Sequence, residues 1–460
     1  MSLRSRKPKI LIIYKCLGFP LRNTVDEHLY SFKRYADADC YYLKLDIGKD
    51  TFYSQEPVPE YLLKIDFDYI FFHYGFISSR WAGKTCYEYA LKQVMPFQNS
   101  KAIKAVMPQD EYMGSESIVD FVNRMNIDIV FSVSPETEWA QLYEGVDFGK
   151  VKFFKVLTGY LDKGGMKSIE GFLNRIPKDL DIGYRARNLP QWLGRHGFLK
   201  TQIAEAFIKN VNRFGLKTDI SVDPKDTFMG DGWYKFMVRC KYMIGVEGGA
   251  TVHDRDGSIG IKGRAYLKEH PDCSFEEIET ACFPGLDGKL NLIAISPRHL
   301  EACVARTCQV LIEGEYNGIL KAGVHYIALK SDFSNLDEVL QLIKDDTKRK
   351  EITDNAYRDV IESGLYNYQG FVDLVLEKCS ELATDSYFSR SPARVGSSLY
   401  HNHYIDWLSW KKDYFWHKIY DRLPNKWFFL NPMLKTVKML GLKQPVKKVY
   451  FKITGKKFFP

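Results

Sequence analysis

ISPRHLEACVARTCQVLIEGEYNGILKAGVHYIAL, residues 295–329, places a helical period and a strand side by side. Ser296 suits a helix cap and Pro297 the first helical position. Leu300, Cys303 and Val304 then recur at helical spacing. Cys308 to Ile312 reads as a buried strand, and residues 313–318, EGEYNG, as a polar loop at its carboxyl end. In an open α/β sheet ligands bind along that edge. Glu301 lies about 100° around the helix from Leu300, so it need not face the core. A carboxylate there can accept hydrogen bonds from both hydroxyls of a vicinal diol. Arg298, three residues earlier, leaves open a plain helix ion pair.

Apolar, β-rich runs alternate with helix-length segments on both sides of this stretch. Upstream, the runs begin at Ile10, Cys40, Tyr69, Ala102, Ile127 and Val151, with helices expected over Thr24 to Tyr35 and Ser115 to Met125. A second series holds strands at Asp181 to Tyr184, Thr218 to Val222 and Tyr242 to Val246, and helices at Thr201 to Phe214 and Trp233 to Lys241. Such alternation implies parallel sheets with helices on both faces. Leu161 to Asp179, with Gly164-Gly165, Pro177 and many charges, reads as an inter-domain connection. The expected fold is α/β: two doubly wound Rossmann-like domains facing a cleft, with residues 1–165 forming one and residues 166–385 the other. Residues 386–460 are expected to be a linker and a tail.

The net charge of +8 is concentrated in that tail. Residues 401–460 hold 12 Lys and one Arg against three Asp, a balance of +10 that leaves the first 400 residues at −2. The body is therefore not expected to bind nucleic acid. Half of the eight tryptophans, Trp407, Trp410, Trp416 and Trp427, interleave with those lysines. This pattern suits an anionic membrane surface, at about 1 kcal/mol per nearby basic residue. Nine cysteines without a CxxC pair suggest free thiols in a reducing cytoplasm. The N-terminal apolar run is too short for a signal sequence, and no run is long enough to span a membrane as a helix. The expected location is cytoplasmic, peripheral on the inner face of the membrane.

The stretch 295–329 resembles the nucleotide-sugar half of group 1 glycosyltransferases of the GT-B fold. There a Ser/Pro-initiated helix carries a Glu that holds the donor ribose, followed by a short strand and loop. The resemblance implies transfer of a sugar from a nucleotide diphosphate to a glycan or lipid-linked acceptor. It gives Glu301 the ribose, assigns Arg185 or Arg187, with Lys200, to the diphosphate, and makes Arg298 a donor-side neighbour. Departure of a nucleoside diphosphate builds negative charge, which cations and helix N-termini can meet. No metal and no cofactor is expected beyond the nucleotide-sugar co-substrate. The family's two Glu separated by seven residues are absent, because Ile293 stands eight before Glu301. Glu247 is the alternative for the first Glu, with an insertion following it.

Further donor contacts are expected from Glu247, Gly248 and Gly249, where consecutive glycines allow close backbone approach, and from Glu313, Tyr316 and Asn317. His325 is a secondary candidate. Asp254 and Asp256 form a DxD followed by glycine, read as an acidic turn rather than a metal site. On the acceptor side, Arg22, His73 and Gln109 follow strand ends. Asp110 and Glu111 are the candidate catalytic bases, with helix-capping charge as the alternative role. A non-catalytic scaffold that binds carbohydrate or nucleotide on the same fold is the first rival reading, and a metal-dependent GT-A-like enzyme using Asp254 and Asp256 the second.

Overall fold

A computed structural model describes residues 6–15, 21–45 and 58–383. The tail and its expected membrane contact lie outside the described residues. Among the described residues no helix is long and apolar enough to cross a membrane.

Strands β1 (Lys9–Tyr14), β2 (Asp39–Lys44), β3 (Tyr69–Phe72), β4 (Ile103–Val106), β5 (Ile129–Ser132) and β6 (Lys152–Lys155) form the first sheet, in the order β2-β1-β3-β4-β5-β6. Every neighbouring pair is parallel. β3, β4 and β5 are buried at every residue, which is why they read as continuous apolar runs instead of alternating ones.

The second sheet contains β7 (Leu180–Arg185), β8 (Thr218–Ser221), β9 (Cys240–Gly245), β12 (Cys308–Ile312) and β13 (Ile327–Leu329). Its order is β13-β12-β9-β7-β8, again all parallel. Met243 and Leu311 pack on one face with Tyr234, Met237 and Leu300 from helices. Tyr242, Ile244, Val310 and Ile312 pack on the other with Ile203, Phe207 and Leu340. Each such fully buried apolar side chain contributes about 1.5–3 kcal/mol. Both doubly wound lobes of the expected GT-B architecture are therefore present, within one compact unit.

Between β9 and β12 lies a separate antiparallel pair, β10 (Gly248–Ala250) and β11 (Leu292–Ala294). The chain between them forms helices Ser258–Glu269 and Phe275–Cys282 around their own cluster, which includes Val252, Ile278 and Phe283. This segment follows Glu247 directly in the chain. Its start also reaches the first lobe: Asp254 N donates to Tyr112 O at 2.8 Å, and Gly114 N to Asp254 O at 2.8 Å.

The stretch 161–179 is not a bare connection. Asp162 accepts from Gly164 N and Gly165 N at 2.8 and 3.2 Å and starts the helix Lys163–Leu173. Ile169 of that helix is buried in the second lobe's core. The chain passes between the lobes twice, joined where Leu161 N donates to Tyr366 O and Tyr368 N to Leu161 O. The helix Tyr368–Leu382 then returns to the first lobe, where Phe371 meets Phe32 and His28.

Candidate active site

The order in which strands are added reverses between β1 and β3 in the first sheet, and between β7 and β9 in the second, with all strands still parallel. Those switch points are where an open α/β sheet holds its ligand. The loops beyond them face one another across two adjoining chambers, with volumes of about 220 Å³ and about 370 Å³. Arg22, Thr24, Arg187, Ser296, Pro297 and Arg298 line both chambers.

The smaller chamber holds Glu301. The helix Pro297–Val304 carries it, and Trp233 Nε1 donates to its Oε2 at 2.8 Å. The residue is 5% exposed, and burial raises its pKa above the usual carboxylate value. One carboxylate oxygen is thus fixed by the indole, while the residue still borders open space. Arg298 makes no ion pair with it; its Nη1 donates to Arg185 O at 2.8 Å, and its guanidinium lies over Trp233. Ser296 occupies the N-cap position, but its hydroxyl makes no capping bond. The amides of this helix N-terminus are a further positive feature beside the arginines.

Of the two arginines at the end of β7, only Arg187 is without a partner among the described residues. Arg185 is engaged elsewhere: its Nη2 pairs with Asp219 at 2.6 Å, its Nε donates to Asp226 O, and its guanidinium sits over Phe228 and Phe236. It forms a wall of the smaller chamber. Arg187 has no hydrogen-bond or ion-pair partner among the described residues and borders both chambers. Arg22, expected on the acceptor side, joins it from the first lobe. Burial, then Arg187 and Arg298, lower the Arg22 pKa. Lys200 lines the larger chamber from the helix Arg195–Asn210. Burial and then Arg298 bring its pKa down to about 8. Four cations from both lobes therefore converge, none of them ion-paired among the described residues, an arrangement that favours an anion.

The larger chamber also separates two adjacent carboxylates. Asp110 adopts a left-handed backbone (φ 49°) and accepts from Tyr112 OH at 3.0 Å. Within reach of its charge are Lys200 and Tyr74. Glu111, also expected as a base, points inward and is 1% exposed. Its carboxylate accepts from Ser132 Oγ at 2.6 Å, Val133 N at 3.0 Å, Ser134 N at 3.1 Å, Ser134 Oγ at 3.0 Å and Tyr143 OH. It pins the loop after β5 and has no lone pair left for a substrate proton. Gln109 lines the chamber and donates from Nε2 to Thr158 O at 2.8 Å.

Several expected contacts are structural instead. The Glu247 carboxylate accepts from Tyr316 N at 2.7 Å and Glu315 N at 3.2 Å, and so holds the loop after β12. A Cβ at Gly314 would meet the Glu247 carboxylate, so a larger residue there would have to displace it. Glu313 is exposed and borders neither chamber. Tyr316 is fully buried, its hydroxyl on Ile312 O. Asn317 accepts from Ile295 N at 2.7 Å and supports the corner that leads into the Glu301 helix. His325 is buried between Lys321 N and Asp359, away from both chambers. His73 is buried too, capping a helical turn by accepting from Gly75 N at 2.9 Å. Asp254 caps the helix Ser258–Glu269 through Ile259 N and Gly260 N, and Asp256 accepts from Ser258 N. Gly248 and Gly249 do line the larger chamber. Gly249 has φ 106°, and a Cβ would fall 2.0 Å from Leu292 O, so glycine is required for the β10–β11 pairing.

Sequence reasoning missed Trp233, read only as a helix start, and Tyr74, one residue beyond the His chosen. Nothing in the local pattern marked Trp233, because its partner Glu301 is 68 residues away.

No protein-family model matches the sequence, and no curated protein matches it. Among solved structures, the chain is similar to HepE from Anabaena in complex with UDP and glucose, at 13% identity over 82% of this chain and 100% of that one, with a TM-score of 0.44. It is similar to AviGT4, a glycosyltransferase involved in avilamycin A biosynthesis, at 11% identity over 82% and 98% of the two chains, with a TM-score of 0.39. Sucrose-phosphate synthase from Thermosynechococcus elongatus gives 12% identity over 82% and 99%, with a TM-score of 0.43. The functional reading rests on the residues of the cleft and not on these likenesses.

Proposed function

We propose that the chain is a glycosyltransferase that moves a sugar from a nucleotide diphosphate donor to an acceptor hydroxyl. The convergence of Arg22, Arg187, Arg298 and Lys200 beside the diol-competent Glu301 carries this reading. In it, the nucleoside occupies the smaller chamber, with its ribose on the free oxygen of Glu301. The diphosphate lies among the four cations and the Pro297 helix terminus, and the sugar extends into the larger chamber. The acceptor oxygen bonds to the anomeric carbon as the bond to the diphosphate oxygen breaks. The nucleoside diphosphate leaves with that electron pair, neutralised by the cations. If configuration inverts, Asp110 takes the hydroxyl proton. Cation stabilisation of developing charge is commonly the largest catalytic term.

The acceptor in this proposal is a glycolipid or growing polysaccharide at the inner membrane face. The +10 balance of residues 401–460 supports it. Incubating the purified full chain with a panel of nucleotide sugars and lipid extract tests the reading. Nucleoside diphosphate release with a glycosylated product is expected. Inertness toward the whole panel, with nucleotide binding retained, would favour the scaffold.

A further inference from the structure

Glu27 lies on the helix Asn23–Leu29 of the first lobe, outside the lining of both chambers. Its Oε1 accepts from Tyr234 OH of the second lobe at 2.8 Å, and the residue is 9% exposed. Tyr234 neighbours Trp233 on the helix Asp231–Arg239, so consecutive side chains hold Glu27 and Glu301. A second contact ties the same two elements: Asn23 Nδ2 donates to Gly230 O at 3.3 Å. Gly165 leaves the space for this docking, because a Cβ there would lie 2.8 Å from Tyr234 Oη and 2.9 Å from Glu27 Oε1.

The charges around Glu27 are mostly acidic. Glu301 faces it from the helix Pro297–Val304, and Asp162 from the start of Lys163–Leu173. Arg34 is the nearby cation, already paired with Asp26 at 2.6 Å and Asp162 at 3.3 Å. Three buried or half-buried carboxyls beside one shared guanidinium cannot all carry charge cheaply.

We propose that Glu27 is a positioning residue: a neutral carboxyl that docks Tyr234 across the lobes and thereby holds the Trp233–Glu301 pair in place for the nucleotide. The Glu301 role rests on the functional reading above; the neutral docking does not. Burial, then the Glu301 charge, push the Glu27 pKa up to about 8 from 4.5. Between these values the folded chain keeps a proton that the unfolded chain has lost. This contribution to stability is full below about pH 4.5, declines as pH rises to about 8, and is flat beyond.

Urea unfolding of the full chain across about pH 5 to 7.5 tests the neutral state. The unfolding constant of wild type should rise with pH more steeply than that of Glu27→Gln, by up to about tenfold per pH unit. Equal slopes would overturn the neutral docking. Titration with uridine diphosphate at neutral pH tests the positioning. Glu27→Ala should bind about tenfold more weakly than wild type, and Glu27→Gln should recover most of that loss. Equal binding by Glu27→Ala and wild type would overturn the positioning role. Failure of wild type to bind any nucleoside diphosphate would remove the donor reading and the positioning role together, while a slope difference would still support the neutral docking.

Discussion

Replacing Glu111 by Ala removes an acceptor that serves five donors at once, three hydroxyls and two backbone amides. Ser132, Ser134 and Tyr143 can rotate their hydroxyls toward other partners, but the Val133 and Ser134 amides are fixed by the chain. An orphaned buried donor costs about 1–3 kcal/mol; the Val133 amide is left in that state, while the Ser134 amide keeps Ser132 Oγ at 3.2 Å. Water entering the vacated space offsets part of this. That is a measurable fraction of the roughly 5–15 kcal/mol that stabilises a native domain. Tyr143→Phe removes one donor and leaves four, so about 1 kcal/mol is expected. The assay is urea unfolding of both variants and wild type, with equal slopes required for a two-state comparison. A loss below about 1 kcal/mol for Glu111→Ala would refute the structural role. So would full stability combined with abolished sugar transfer, which would return Glu111 to the chemistry.

Asp110→Asn should leave stability within about 0.5 kcal/mol, since Tyr112 OH keeps an oxygen acceptor, yet cut transfer by about 10²-fold or more if the enzyme inverts; steady-state rates and an unfolding curve check both. Lys200→Met should weaken nucleoside diphosphate binding while leaving the bare nucleoside nearly unaffected. Because the Lys200 pKa is down at about 8, wild-type diphosphate affinity should fall as pH rises above that value, and the variant's should not, by calorimetry. Burial lowers the His28 pKa to about 3 and that of its neighbour His73 well below 6.5, so both stay neutral in the fold. The contribution of these two histidines to stability should therefore be full above about pH 6.5 and decline as pH falls toward about 3, with His28→Phe showing a slope shallower by up to one proton in acid unfolding.

Sheets were more legible in the sequence than the site. β3, β4 and β5 are buried on both faces, so their composition alone marked them. The helix Lys163–Leu173 was hidden by its glycine pair and charges, and only a cap and a few apolar residues support it. Glu301 was legible because helical spacing placed it off the Leu300 face. Asp110 and Glu111 could not be told apart by adjacency: a left-handed turn aims one at the chamber and the other at buried amides. Glu247 failed for a related reason, since a carboxylate at a strand end serves a ligand or a neighbouring loop equally well on paper. The Glu27–Tyr234 contact spans 207 residues and has no local signature.

The most direct measurement is a calorimetric titration of wild type and Glu301→Ala with whichever nucleotide sugar best protects the chain against unfolding. One site per chain is expected, with affinity at least about tenfold weaker in the variant. Equal affinity in the two proteins, or no nucleotide sugar bound by wild type, would contradict a donor site in this cleft.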